Sequence, residues 1–314
     1  MSGSAVDHRI RSLRPAKPLV DPYVAHGWLA EEERRPNDTV ERTLTVFLAG
    51  AECPFTCSFC DLWRWTIDGP TPPGALVRQL ERVLQELEGP VPHRLKLYNA
   101  SNFFDARAVP REDLPAIAAL AQPFAGVTVE SHASTIGPAT LEFGRLIPGR
   151  LEVAVGLETI HPLATSRLNK RLELARFDRA ASFLADNGVD LRVFVLLGAP
   201  YVPPNESIEW VRRTVEYAAG RGASVISIIP VRGGNGELER LQEQGYFHPP
   251  TLSQLEAALD SCLDVGTAVT ADVWEAQRLP SCEACRSQRI ARIRRMNISG
   301  TREAPVDCSI CGTA

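Results

Sequence analysis

The sequence has no apolar run long enough to cross a membrane, and its first twenty residues lack the apolar core of a secretory signal. We therefore expect a cytoplasmic protein with no membrane partner. The sequence also has no Ser–His–Asp order, no Walker phosphate loop and no dinucleotide-binding glycine motif before a helix. These absences argue against a serine hydrolase, a P-loop nucleotidase and a nicotinamide-dependent dehydrogenase.

A strong charge of either sign is also missing. The formal net charge is −4, which argues against a wholly basic nucleic-acid binder but not against a local basic patch. With 314 residues, 44% hydrophobic and 23% charged, the composition fits one large α/β domain plus an appendage. The eight cysteines fall into two clusters plus the lone Cys262. Without an export signal, such clusters predict metal sites rather than disulfides.

The first cluster lies in AECPFTCSFCDLWRW, residues 51–65. Cys53, Cys57 and Cys60 form a C-x3-C-x2-C array, with Phe59 before the last cysteine. Proline, threonine and serine interleave with the cysteines and predict a loop, so buried structural cysteines or a fragment of a zinc site fit less well. Because no fourth cysteine is near in sequence, a 4Fe–4S cluster held here would have one iron with open coordination.

The second cluster consists of two C-x2-C pairs, Cys282 with Cys285 and Cys308 with Cys311, separated by 22 residues. This spacing predicts a four-cysteine metal site. A closed tetrahedral zinc site is the simplest account, and an auxiliary 4Fe–4S cluster is the alternative.

The segment between the two pairs, RSQRIARIRRMNISGTR, carries six arginines and no acidic residue. It predicts a basic loop, Arg286 to Arg302, that binds RNA through phosphate contacts. The alternative is a solvated helix face that pairs with the chain's own carboxylates.

Short β-rich runs alternate with amphipathic helical runs through the middle of the chain. The predicted strands are residues 43–50, 94–98, 127–131, 151–157, 191–197 and 225–229, and the predicted helices include 72–89, 114–121, 174–187 and 206–219. Alternation of this kind predicts parallel βαβ units with right-handed crossovers. The fold class is therefore α/β, a partial (β/α)6 TIM-like barrel with a C-terminal four-cysteine extension.

Three regions follow from this assignment. Residues 1–42 are expected to be an irregular lead-in across the bottom of the barrel, with one short helix around residues 28–35. Residues 43–250 form the barrel. Residues 251–314 contain a helix over 251–270 and the metal-binding extension. Active sites in such barrels lie at the C-terminal ends of the strands, where the three-cysteine segment falls.

The cysteine array and the strand-end motifs resemble those of the radical S-adenosylmethionine (SAM) superfamily. Over about residues 43–250 the chain looks closest to the branch that includes the Elongator catalytic subunit and coproporphyrinogen dehydrogenase. The stretches LKLYNASNFFD, VESHAST, VAVGLET, RLNKR, VFVLLGAP and GYFHPP together resemble radical subunits of archaeosine synthase.

The resemblance implies that SAM binds the open iron of a 4Fe–4S cluster held by Cys53, Cys57 and Cys60. A reductant such as flavodoxin or ferredoxin would supply one electron, and the resulting 5′-deoxyadenosyl radical would abstract a substrate hydrogen. The cofactor carries this chemistry and the protein positions it. The resemblance also implies a lyase-type or transferase-type modification of a nucleoside or tRNA.

The same resemblance assigns residues to the cofactor. Phe59 would shield the cluster, and Glu130 would grip the SAM ribose. Lys170 (or Arg171) and Arg192 would pair with the SAM carboxylate. The remaining predicted contacts are Asn99, Ser101 and Asn102, which replace a Gly-Gly-Glu motif for the methionine amine, and Glu158, which stands where glutamine is usual. The loop 232–236 is expected to be a flexible rim.

Two other hypotheses remain open at this point. The chain could be a metal-stabilised RNA-binding or assembly protein that uses the barrel as a scaffold. It could also relay electrons through two clusters, which requires iron at the four-cysteine site.

Overall fold

The computed structural model describes residues 4–312, in which eight strands form one sheet. The strands follow one another across the sheet in sequence order, and they are β1 (Gly27–Arg34), β2 (Val40–Phe47), β3 (Arg94–Tyr98), β4 (Gly126–Glu130), β5 (Arg150–Glu158), β6 (Asp190–Leu197), β7 (Ala223–Pro230) and β8 (Ala268–Ala271). β1 is antiparallel to β2, and every later neighbour pair is parallel.

Helices connect the strands and cover the outside of the sheet. They are α1 (Ala5–Ser12), α2 (Ala75–Glu86), α3 (Leu114–Leu120), α4 (Pro138–Leu146), α5 (Pro162–Arg167), α6 (Leu174–Asp186), α7 (Ser207–Ala219), α8 (Glu237–Glu243), α9 (Leu252–Cys262) and α10 (Arg286–Ser299). Among the residues described, no helix has both the length and the hydropathy that crossing a bilayer requires.

The predicted fold class is confirmed, with one parallel strand more than expected. Residues 251–270 do not form a single helix, because α9 ends at Cys262 and Gly266 turns the chain at a positive φ of 84°. The chain then re-enters the sheet as β8, which pairs with β7. The barrel sheet therefore continues past residue 250 into the predicted extension.

The prediction of a short helix around residues 28–35 is wrong. This stretch is mostly β1, which pairs along its whole length with β2.

The N-terminal lead-in reaches both ends of the barrel rather than only its bottom. Arg34 at the end of β1 is in register with Val40, the first residue of β2, at the bottom, whereas α1 contacts the loops at the top.

Helix α10 covers the seam between the first and last strands. It contacts both β1 and β8, and Asn297 exchanges two hydrogen bonds of 2.8 Å with the backbone of Ala271 on the outer edge of β8. The helix ends at Gly300, where a Cβ atom would lie 2.4 Å from the Arg34 guanidinium. The exposed edge of the sheet is thus covered by a helix, which protects its backbone groups.

Side chains alternate strictly between the two faces of the strands. In β2, Leu44 and Val46 point outward into the core with the helices, so their neighbours point into the barrel. The same alternation holds along β3, β4, β5 and β6. The inward set is Thr43, Thr45, Phe47, Arg94, Lys96, Tyr98, Thr128, Glu130, Glu152, Ala154, Gly156, Arg192 and Phe194. Barrel interiors are usually filled by branched aliphatic side chains, so this polar interior indicates a ligand-binding one.

A buried charge network occupies the lower half of the interior. Arg192 donates to Glu152 at 2.8 Å and to Glu33 at 2.6 Å. Arg35 donates to the other oxygen of Glu152 at 2.7 Å, and Lys96 pairs with Glu33 at 2.9 Å. Burial alone would raise the pKa of Glu33, but the charges of Arg192 and Lys96 outweigh burial and lower it to about 2. The network joins β1, β3, β5 and β6.

Replacing Glu152 with alanine should destabilise the protein strongly, because Arg192 and Arg35 would lose their buried partner. We expect a loss of about 3–5 kcal/mol in the free energy of unfolding, measured in urea. Glu209→Ala is the matched control, since Glu209 pairs with Arg213 with both side chains more than half exposed, and it should cost less than about 1 kcal/mol. Equal losses in the two variants would contradict a structural role for the network.

Candidate active site

The three-cysteine loop (residues 51–65) begins four residues after β2 ends, at the C-terminal edge of the sheet. Its three cysteines are partly buried. Their sulfurs do not meet the geometry of a single-ion site, because among the described residues only the other four cysteines bring three or more sulfurs within 4.8 Å of one another. A cubane cluster places each thiolate on a different iron, so wider spacing is what a 4Fe–4S cluster requires.

Without a metal, the surroundings of these three cysteines disfavour the negatively charged thiolate form. Burial raises the pKa of the Cys57 thiol to about 12, and it raises the pKa of Cys60 well above its ordinary value. Metal ligation needs the thiolate, so binding must release these protons.

The start of the loop is fixed by side chains from the first crossover. The backbone amide of Ala49 donates to the Gln79 side chain at 2.8 Å, and Gln79 donates back to the Ala49 carbonyl at 2.8 Å. Ala51 donates to the Thr71 hydroxyl at 2.8 Å. Gln79 and Thr71 are buried, so the path from β2 into the loop is set by the barrel wall.

The middle of the loop is held by the N-terminal helix and by the segment after α5. The Asn169 amide donates to the Thr56 carbonyl and to Asp7, both at 2.9 Å. Asp7 in α1 also accepts from the Thr56 hydroxyl and pairs with Arg171. Asp7 is 5% exposed, and its hydrogen bond from Thr56 holds the pKa of its carboxyl well below the usual range.

The end of the loop is held by Asn235, in the segment predicted to be a flexible rim. Its amide donates to the carbonyls of Ser58 at 2.9 Å and Cys60 at 3.3 Å, and its oxygen accepts from the backbone of Leu238. Asn235 is 2% exposed. The rim loop is therefore an anchor for the cysteines, and the expectation of a free loop is wrong.

Asn102 reaches a cysteine directly. Its amide nitrogen donates to the Cys53 sulfur at 3.5 Å, and its oxygen accepts from the backbone amide of His132 at 2.7 Å. The side chain thus links the ends of β3 and β4 to the loop. This contact differs from the predicted one with the methionine amine, which stays a prediction.

Glu130 at the end of β4 organises the segment that follows β3. Its carboxylate accepts from the backbone amide of Ala100 at 2.7 Å and faces the amides of Asn99 and Ser101. Burial raises the pKa of Glu130 to about 7, although these amides favour the charged form. Ala100 has a positive φ of 53°, a strained conformation that this carboxylate stabilises.

Two predicted contacts in that segment have unpaired polar atoms. Neither amide atom of Asn99 has a hydrogen-bond partner among residues 4–312, and the buried hydroxyl of Ser101 has none either. Asn99 is fully buried. Buried polar groups without partners are costly and rare, so these atoms fit a site that a polar ligand completes.

Glu158 and Lys170 form a buried pair at the end of β5. The Lys170 ammonium donates to Glu158 at 2.7 Å and lies 5.9 Å from the centre of the Phe59 ring. A Cβ atom on Gly156 would lie 2.0 Å from the Glu158 oxygen, so any larger residue there would displace the Glu158–Lys170 pair. Glu158 adopts a positive φ of 68° beside a bulge in β5, and strained residues of this kind concentrate at functional sites.

Arg192 is not brought together with the other predicted contacts. Its hydrogen-bond partners are Glu152, Glu33 and Ser227 in the charge network below. The other predicted residues, Phe59, Asn99, Ser101, Asn102, Glu130, Glu158 and Lys170, lie around the three-cysteine loop.

The sequence analysis missed Asp7 and Asn235 and did not single out Asn169. Ser4 and Asp7 form a capping box at the start of α1, and the S-x-x-D pattern could have revealed that helix. Nothing local in the sequence indicates that Asn235 contacts a loop about 175 residues earlier.

The four C-terminal cysteines converge as predicted. Their sulfurs all lie within 4.8 Å of one another, and those of Cys285 and Cys311 are 3.7 Å apart. Arg289, 3% exposed, donates to the Cys285 sulfur at 3.2 Å and pairs with Glu256 of α9. This donor partly balances the negative charge that four thiolates would carry.

The arginine-rich segment is helix α10, so the prediction of a loop is wrong. Arg292 pairs with Asp260 at 2.9 and 3.0 Å, and Arg295 pairs with Glu303. Arg289 and Arg292 are buried. Most of the positive charge is thus neutralised by the chain's own carboxylates, which was the alternative to RNA binding.

Comparison with known proteins gives two matches that bear on this geometry. The chain is 26% identical over 254 residues to archaeosine synthase subunit beta from Methanosarcina acetivorans, covering 77% of this chain and 72% of that protein. A radical SAM methyltransferase from Sphaerobacter thermophilus superposes with a TM-score of 0.51 at 16% identity, over 74% of this chain and 68% of that one. The predicted resemblance to the radical SAM superfamily is confirmed at the level of the fold. Its partial barrel is the fold found here.

More distant superpositions include the archaeal Elp3 from Methanocaldococcus infernus. That match has a TM-score of 0.47 at 14% identity and covers 63% of this chain, which spans half of that structure. It is too distant to add to the argument. No protein-family model matches the chain.

Replacing Asp7 with alanine should loosen the three-cysteine loop, because Thr56, Asn169 and Arg171 would lose a buried acceptor. Loss of such a partner costs about 1–3 kcal/mol, so amide hydrogen exchange in residues 53–60 should accelerate about tenfold or more. Asp21→Ala, which changes an exposed aspartate in the same N-terminal segment, should leave that exchange unchanged. Equal exchange in Asp7→Ala and the unaltered protein would refute the tether.

Proposed function

We propose that the chain is a radical SAM enzyme in which Cys53, Cys57 and Cys60 hold a catalytic 4Fe–4S cluster. When bound, the cluster and SAM supply a 5′-deoxyadenosyl radical that removes a hydrogen atom from the substrate. The observation that carries the proposal is the three-cysteine loop at the strand ends, held by at least four buried polar side chains. We also propose a cytoplasmic location and a flavodoxin-like or ferredoxin-like reductant.

The chain's own residues would bind and orient the cofactor. Asn99 and Ser101, whose buried polar atoms have no partner among the described residues, would accept hydrogen bonds from the amine of the SAM methionine. Glu130 holds the backbone of that segment in place. Lys170 would pair with the SAM carboxylate while Glu158 fixes its position.

Phe59 lies against Lys170 and would exclude water from the cluster. Asn102 would stabilise the Cys53 thiolate through its amide donor, because hydrogen bonds to ligating sulfurs tune a cluster's potential. In this proposal Arg192 does not contact SAM, and its role is the structural one in the buried charge network.

For the reaction, we propose a lyase-type or transferase-type modification of a nucleoside in tRNA, together with a second subunit. The support is the similarity to archaeosine synthase subunit beta, whose name marks it as part of an assembly. Specificity transfers poorly between proteins that share a fold, so this part of the proposal depends on the sequence match alone.

The protein, purified anaerobically and reduced with dithionite, should convert SAM to 5′-deoxyadenosine, measured by liquid chromatography and mass spectrometry. Cys57→Ala should abolish the product, because the cluster loses a ligand. Cys262→Ala is the matched control, since Cys262 is the buried last residue of α9 and lies outside both cysteine clusters, and it should retain activity. Bound iron without SAM cleavage would favour the scaffold alternative.

At the C-terminus we propose structural zinc rather than an auxiliary cluster. A metal–sulfur distance of about 2.3 Å in a tetrahedron places neighbouring sulfurs about 3.8 Å apart. The separation of 3.7 Å between Cys285 and Cys311 fits this value, whereas a cubane would spread the thiolates over four irons. An electron relay through two clusters is correspondingly disfavoured.

Metal analysis of the anaerobically purified protein should find about one zinc and about four irons per chain. The double variant Cys282→Ala/Cys285→Ala should lose the zinc and keep the iron, and Cys57→Ala should do the reverse. Loss of iron from the double variant would instead establish an auxiliary cluster.

A further inference from the structure

Three aromatic side chains lie in the upper half of the barrel interior, above the charge network. They are Phe47 at the end of β2, Tyr98 at the end of β3 and Phe194 within β6, and each is partly exposed. The ring centres of Phe47 and Tyr98 are 6.4 Å apart, and those of Tyr98 and Phe194 are 6.0 Å apart. Trp274 joins them, 5.5 Å from Phe47 and 54% exposed. We refer to these four residues as the aromatic cluster.

The rings of the aromatic cluster are inclined to one another rather than stacked. Their planes are inclined by 52° between Phe47 and Tyr98, by 84° between Tyr98 and Phe194, and by 53° between Phe47 and Trp274. Inclined aromatic pairs leave ring faces uncovered, and a third aromatic system can stack on such a face. The cluster therefore has a geometry suited to a flat ligand.

Trp274 is exposed but rigidly held. Its backbone amide donates to Asp272 at 2.8 Å, in a tight turn after β8. Arg232 pairs with Asp272 at 3.1 Å and donates to the Trp274 carbonyl. The fixed backbone limits the conformational entropy that is lost when a ligand contacts the indole.

Polar groups border the aromatic cluster from below. Arg192 is 1% exposed, and its second terminal nitrogen has no partner among the described residues. The hydroxyl of Thr45, on the same inward face of β2 as Phe47, is also buried without one. A saturated hydrocarbon chain would leave these groups unsatisfied, whereas a heteroaromatic ring offers stacking faces and a polar edge.

The aromatic cluster also lies next to the proposed cofactor site. Tyr98 directly precedes Asn99, and Phe194 is in register with Gly156, whose neighbours are Glu158 and Lys170. Phe47 precedes the three-cysteine loop by four residues. A ligand on the rings would therefore be adjacent to the groups proposed to bind SAM.

We propose that the planar heteroaromatic ring of the substrate, of the nucleobase type, binds by stacking on the aromatic cluster, in contact with Phe47, Phe194 and Trp274. The proposal rests on the proposed function for its place in the reaction. It assigns substrate recognition to residues that differ from every cofactor contact described above.

The test is a calorimetric titration of the anaerobically purified protein with guanosine, with excess S-adenosylhomocysteine present to occupy the cofactor's own nucleoside site. Guanosine should bind, and Phe194→Leu, Phe47→Leu and Trp274→Leu should each weaken its affinity about tenfold, since stacking on an aromatic side chain is worth about 1–3 kcal/mol per base. Leucine keeps the apolar character of each position, so the loss reports stacking.

Trp210→Leu is the matched control for Trp274→Leu. Trp210 lies on α7, where its ring meets His161 and Arg213, and its replacement should leave guanosine affinity unchanged. Thermal unfolding of each variant checks folding, and Trp274→Leu alters a side chain more than half exposed. No heat of binding at the solubility limit of guanosine, or equal affinity in all variants, would overturn the proposal. Because the titration reads binding, its outcome is separate from the presence or absence of SAM cleavage.

Discussion

Three sulfur atoms must stay at fixed relative positions in a segment that is largely without regular secondary structure. A loop cannot do this through its own backbone hydrogen bonds, so side chains from elsewhere must supply them. Gln79, Asp7, Asn169, Asn235 and Asn102 do so from five separate parts of the chain. Each bond contributes about 1 kcal/mol net, and together they make the loop as well defined as the barrel around it.

The polar interior follows from the same arrangement. Strands that bury aliphatic side chains against the helices must point every second residue inward, and in the lower half of the barrel most of those residues are charged or hydrogen-bonding. Pairing offsets the free-energy cost of burying these charges, as between Arg192 and its partners Glu152 and Glu33. The lower network keeps the sheet together, which frees the upper interior for a ligand.

Much of this architecture could be predicted from the sequence because its signals are local. Alternating runs such as RLKLY and the amphipathic pattern of α2 specify their elements within a few residues, and the spacing of the last four cysteines predicts their convergence. β1 could not be predicted in this way. Its acidic run resembles a solvated segment. The burial of Glu33 is explained only by its ion pair with Arg192, which lies 159 residues later in the sequence. β8 has four residues, too few for a periodic signal.

The C-terminal arginines show the limit of charge counting. Their partners Glu256 and Asp260 lie on α9, about thirty residues away, so the segment looks basic only when it is considered alone. The tertiary contacts with these distant carboxylates, rather than the composition of the segment, determine how much of its positive charge faces solvent.

Helix α10 follows directly after Cys285, its N-cap residue, bonds to β8 through Asn297, and ends against Arg34 of β1. A single helix therefore connects the four-cysteine group to both outermost strands of the sheet. Loss of the proposed zinc would therefore free one end of the helix that lies across both β1 and β8, close to the turn that carries Trp274.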